Sequence, residues 1–134
     1  MSPADLLVGA RRLAVVGASA TAGKPAHDIP AELVRRGWEL VPVNPTAEEV
    51  LGRQAVASLA DLDGPTDLVI VFRPSEEAPV IAKEAIDIGA PALWLQIGLQ
   101  SADARQQAEA AGLSYVEDEC AGTLARRLDL HPAR

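Results

Sequence analysis

Three stretches of this chain repeat one pattern. In ELVRRGWELVPV, EAIDIGAPALWL and AEAAGLSYV, a polar helical segment stops at a glycine and an apolar run begins. Gly37, Gly89 and Gly112 stand where a helix C-terminus favours a residue with positive φ. The runs that follow are nearly continuous in apolar residues rather than alternating. That is the mark of strands covered on both faces of a parallel sheet.

Helix and strand alternate along the rest of the chain as well. Strands are expected near 13–17, 39–43, 68–72, 92–96 and 114–117, with a short extra strand or turn near 54–57. Helices are expected near 3–10, 26–36, 76–88, 102–111 and 120–128. Asp28 and Pro30 mark the first turn of the second helix; Ser75 and Ser101 can cap the third and fourth. Ala78, Ile81, Ala85 and Ile88 recur at helical spacing, and Ala104, Ala108 and Ala111 form a small-residue stripe on the next helix. The expected fold is α/β: a single Rossmann-like, doubly wound and mainly parallel sheet of about five strands, with helices on both faces. The 134 residues suit one domain, residues 1–134, without a linker. Such sheets bind ligands at the carboxyl ends of their strands, where the strand order reverses.

The charge limits the partners. A net charge of -7, with no basic run longer than a pair of arginines, argues against nucleic acid and anionic membrane surfaces. No apolar run approaches the roughly 18 residues of a membrane span, and no signal peptide is apparent. A cytoplasmic protein is expected. The single Cys120 excludes an internal disulfide.

The loop after the first strand, VVGASATAGKP, carries the clearest chemistry. Against the dinucleotide spacing G-x-G-x-x-G it has Gly17, Ser19 and Ala22, so only the first glycine is kept. Serine and alanine still let the backbone pass close to a pyrophosphate, and Lys24 supplies a cation before the next helix. No Walker motif can be drawn, because Pro25 follows Lys24. An NAD site wants a carboxylate about 20 residues beyond the glycines. The second strand ends instead in Asn44-Pro45-Thr46. Arg73, at the end of the third main strand, suits a phosphate and equally a pairing with Glu76 or Glu77. Trp94 reads as core. Glu117, Asp118 and Glu119 argue against a reactive Cys120 thiolate and are a weak metal signal; no catalytic triad is found.

Taken in order, VVGAS, GKPAHDIPAELVRRGW, PVNP, VFRP, LWLQIG and the late D-E-C resemble the small stand-alone CoA-binding proteins. These are similar in turn to the N-terminal CoA-binding domain of the succinyl-CoA synthetase α subunit. The resemblance runs from about Leu13 to Leu128 and implies coenzyme A as the ligand. It puts Gly17, Ala18, Ser19 and Lys24 at the pyrophosphate, and Val43, Asn44 and Pro45 at the adenosine end. It puts Phe72, Arg73 and Pro74 beside the adenine or its ribose phosphate, and Gln96, Ile97 and Gly98 near the pantetheine arm. Where such proteins often carry a lysine after the NP pair, this chain has Thr46 and Ala47, which leaves Arg53 and Arg73 as the nearby cations. The phosphohistidine domain and nucleotide-binding subunit of the synthetase have no counterpart, so a non-enzymatic protein binding CoA or acyl-CoA is expected. The alternatives are an NADP-binding enzyme on the same fold and an interaction domain without nucleotide. Trp38, Leu99 and Leu130 are the candidates for exposed apolar side chains that would support a homodimer.

Overall fold

Each of the three glycine stops closes its helix in the same way. The computed structural model describes residues 1–133. Its helices are α1 (Pro3–Gly9), α2 (Pro25–Arg35), α3 (Ala78–Asp87), α4 (Ala102–Ala110) and α5 (Ala121–Arg127). Behind α2, the amide of Gly37 donates to the carbonyl of Val34 and that of Trp38 to Leu33. Behind α3, Gly89 donates to Ile86 and Ala90 to Ala85; behind α4, Gly112 donates to Glu109 and Leu113 to Ala108. These are three Schellman caps, with the glycines at φ 112°, 75° and 84°. A fourth closes α5, where Asp129 at φ 52° takes the glycine's place and Leu130 donates to Ala125.

The caps turn the chain back into strands. These are β1 (Arg12–Val16), β2 (Glu39–Val43), β3 (Glu49–Val50), β4 (Arg53–Gln54), β5 (Leu68–Val71), β6 (Ala92–Leu95) and β7 (Ser114–Val116). Five of them form one sheet in the order β2-β1-β5-β6-β7, every neighbouring pair parallel. The extra strand expected near 54–57 is a two-residue antiparallel ribbon, β3 with β4, and Val56 adds a single bridge to Val43.

The apolar runs divide between two cores by strand alternation. Leu13, Val15, Leu68, Ile70 and Trp94 face one way, with Leu33 of α2 and Leu124 of α5. Ala14, Val69, Val71, Leu93 and Leu95 face the other, with Ile81 and Ala85 of α3 and Ala104 and Ala108 of α4. Each fully buried Leu, Ile or Val contributes about 1.5–3 kcal/mol, so both faces must be covered for the sheet to hold.

Five sequence expectations need correction. Trp38 is not a surface residue: it is 1% exposed, and its indole N–H donates to the carbonyls of Leu7 and Ala10 at the end of α1. Leu99 and Leu130 are half-buried against the two cores. Ala111 is exposed, because it is already the C-cap of α4. Ser75 caps no helix; it opens a 3-10 turn (Ser75–Glu77), and its hydroxyl accepts the Gln100 amide. Pro30 lies not in the first turn of α2 but inside it, since the helix already begins at Pro25. Ser101 does cap α4, accepting the Ala104 amide. Among the described residues no helix is long and apolar enough to cross a membrane.

Candidate functional site

From β1 the chain winds one way to β2; from β5 it winds the other way to β6 and β7. The strand order therefore reverses between β1 and β5, and the loops that leave their carboxyl ends flank the crevice. These are the loop from Gly17 to Lys24 and the segment from Phe72 to Glu77.

The first loop is held at both ends. Gly17 leaves β1 at φ 87° and donates its amide to Val43 at the end of β2. A Cβ there would lie 2.9 Å from Cδ and 3.2 Å from Cγ of Arg73, so only glycine lets the arginine stem cross the turn. Next, the Ser19 amide donates to the Ala26 carbonyl at 3.0 Å. That carbonyl is open because its helical partner four residues on is Pro30, which has no N–H. The buried proline thus leaves a free acceptor in the first turn of α2, and the loop uses it. The Ser19 hydroxyl accepts the Thr21 amide, and the Asp28 carboxylate accepts the Gly23 amide at 3.1 Å. The hydrogen bond from His27, with that from Gly23, holds the Asp28 carboxyl below the usual carboxylate range. Among the described residues the amides of Ala20 and Ala22 have no acceptor, so they are open to an anion.

Asn44 locks the neighbouring loop to this one. Its side-chain amide donates to the Ala18 carbonyl at 2.9 Å. Its oxygen accepts the Thr46 amide, the Thr46 hydroxyl and the Ala47 amide. The NPT turn is therefore both an Asx turn and a clamp on the loop after β1.

Arg73 lies across the crevice. Its guanidinium takes Glu77 with two parallel bonds, Nε to Oε1 at 3.1 Å and Nη2 to Oε2 at 2.8 Å. The pair lowers the Glu77 carboxyl and raises the arginine. Beside it opens a cleft of about 660 Å³, a size suited to a small ligand. Gly17, Val43, Asn44, Pro45 and Thr46 form one wall, Leu59 and Ile81 the apolar part, and Glu76, Glu77 and Glu84 the wall from the 3-10 turn and α3. Arg73 is the one cation among these lining residues.

The structure thus brings Gly17, Val43, Asn44, Pro45 and Arg73 to one cleft. Ala18 is buried under the loop, and Ser19 follows it. Lys24 is exposed at the far end of the loop, just ahead of α2. Phe72 is half-buried against the core, and Pro74 leads into the 3-10 turn. Arg53 stands apart on β4, with its Nη1 donating to the Leu51 carbonyl. Gln96, Ile97 and Gly98 follow the carboxyl end of β6, the strand next to β5. Gln96 is 4% exposed, accepts the Ala121 amide and donates to the Cys120 sulfur. Ile97 is 67% exposed, and the Gly98 amide donates to Asp118 at 2.7 Å. The Cys120 sulfur caps α5 by accepting the Thr123 amide. Sequence reasoning missed Glu84, Asp28 and Pro30 as parts of the site. For Pro30 a signal existed, since a proline inside a helix always frees the carbonyl four residues before it.

A family described as CoA binding domain matches residues 11–126. Over 116 residues the chain is 40% identical to the uncharacterized protein YneT of Bacillus subtilis (strain 168), covering 87% of this chain and 86% of that one. Over 81 residues it is 32% identical to ADP-forming acetate–CoA ligase II of Archaeoglobus fulgidus. That match covers 59% of this chain but 12% of the ligase. A hypothetical protein from Pyrococcus horikoshii OT3 has the same fold, with a TM-score of 0.90 at 30% identity over 96% of this chain and 92% of that chain.

Proposed function

The chain belongs to the CoA-binding domain family, and from that premise we propose that it binds coenzyme A or an acyl-CoA at the β1–β5 crevice without acting on it chemically. The observation that carries the reading is the meeting of Gly17, Asn44 and Arg73 at one cleft beside a loop with open amides. In this reading the pyrophosphate lies over Gly17, Ala18 and Ser19, with Lys24 at the end of the turn. The adenosine end enters the cleft by Val43, Asn44 and Pro45, flanked by Phe72, Arg73 and Pro74. The pantetheine arm leaves along Gln96, Ile97 and Gly98. With Arg53 turned to the Leu51 carbonyl and Thr46 after Pro45, the cations left for phosphate are Lys24 and Arg73.

His27 pairs with Asp28 at the start of α2, and His131 bonds the Arg36 carbonyl at the end of α2. Neither histidine lines the cleft. The similarity to the ligase extends over 12% of its length, so its reaction is not carried over.

A thermal-shift series with CoA, acetyl-CoA, NAD, NADP and ATP tests the reading. A ligand at 100 times its Kd adds about 2.7 kcal/mol of stability. CoA or acetyl-CoA is expected to raise the melting temperature most. A larger shift with NADP, or none with any of the five, overturns it.

A further inference from the structure

Within the cleft, the one lining cation is already paired with a carboxylate. Arg73 offers a planar fork that suits a carboxylate and a phosphate equally well. Glu77 fills that fork with two bonds of 2.8 and 3.1 Å. The arginine's stem passes closely over Gly17, where a Cβ would come within 2.9 Å of its Cδ. Both partners are about half-exposed, at 47% and 45%, so water screens the pair and an incoming anion can exchange with it. Glu76 and Glu84 face the same cleft and leave it net negative.

We propose that Glu77 is a built-in competitor for the ligand's phosphate: it holds the Arg73 fork and must give it up before Arg73 can take an anion. This rests on the CoA-binding reading above. The consequence is selectivity. A ligand with a phosphate alone faces an occupied arginine and two further carboxylates. A ligand that also fills the apolar part of the cleft, with a ring and a sugar, gains enough elsewhere to displace Glu77. Glu77 is thus a specificity-determining residue that acts through Arg73.

Calorimetric titration of the whole chain at low salt tests this, with CoA and the uncharged probe adenosine against the wild type, Glu77→Gln and Glu84→Gln. Glu77→Gln keeps the side chain's shape but loses the charge and one of the two acceptors that hold the arginine. It is expected to bind CoA about fivefold tighter, the upper range for freeing an exposed ion pair, and to leave adenosine affinity unchanged. Glu84→Gln removes a charge that does not touch Arg73 and is expected to gain less than about twofold. Equal gains from the two variants would mean that a general negative field acts, and would overturn the competitor role. So would a matching gain for adenosine. Equal CoA affinity in wild type and Glu77→Gln overturns the competitor role and leaves the CoA reading standing. No CoA binding by either protein overturns the reading, and the competitor role with it.

Discussion

Gly17→Val is expected to abolish CoA binding and to lower stability by about 2–4 kcal/mol. Two costs combine at this position. The backbone is at φ 87°, where a β-branched residue is strained before any contact is considered. The new Cβ would then meet Arg73 Cδ at 2.9 Å, Arg73 Cγ at 3.2 Å and the Phe72 carbonyl at 3.2 Å. The carbonyl belongs to the backbone beside β5 and cannot give way cheaply. The turn or the arginine has to move, and either movement separates the open amides from the cation across the crevice. Urea unfolding measures the first effect and calorimetry the second. CoA affinity retained within twofold would remove the β1 turn from the site.

Trp38→Ala is expected to cost about 3–5 kcal/mol, a large share of the stability of a domain this size. The indole is 1% exposed among Leu7, Leu33 and Leu40, so alanine leaves a cavity. It also removes the donor to the Leu7 and Ala10 carbonyls at 3.0 and 2.9 Å, one of the ties that hold the end of α1 to the core. Thermal unfolding is expected to shift downward by about 10–20 °C. A loss below about 1 kcal/mol would mean that α1 and Trp38 contribute little to the core.

Trp38 also shows why part of the fold was misread from sequence. It follows Gly37, and the residue after a Schellman glycine packs back onto the helix it leaves. Read by that rule, Trp38, Ala90 and Leu113 all turn inward, and all three do so in the structure. Without that rule, Trp38 stood among the candidates for an exposed face of a homodimer. The strands and the parallel sheet were legible, because a run apolar at every position is stable only between two covered faces. Asp129 was not legible as a helix stop, since nothing in its type separates a left-handed aspartate from one on a helix surface.

The family was legible from VVGAS, PVNP, VFRP and LWLQIG, and the match over residues 11–126 bears that out. The words fall at strand ends, and strand ends converge once the sheet order is known. Their internal bonding was beyond sequence reasoning. Asn44 reaches a carbonyl 26 residues away only because β1 and β2 lie side by side. Arg73 had Glu76 and Glu77 as equal partners in sequence; the 3-10 turn places Glu77 at the fork. Ala26 gives its carbonyl to Ser19 through the absence of a proton on Pro30, an effect that joins the loop after β1 to α2.

The most direct test is a ¹H–¹⁵N NMR titration of the labelled chain with CoA. Binding at the β1–β5 crevice predicts that the largest shift changes fall on the amides of Gly17, Ser19, Asn44 and Arg73, with Ala20 and Ala22 following as their open N–H groups take the phosphates. Changes confined to the shallow groove of Ser101, Arg105 and Glu117, or none at saturating CoA, would contradict it.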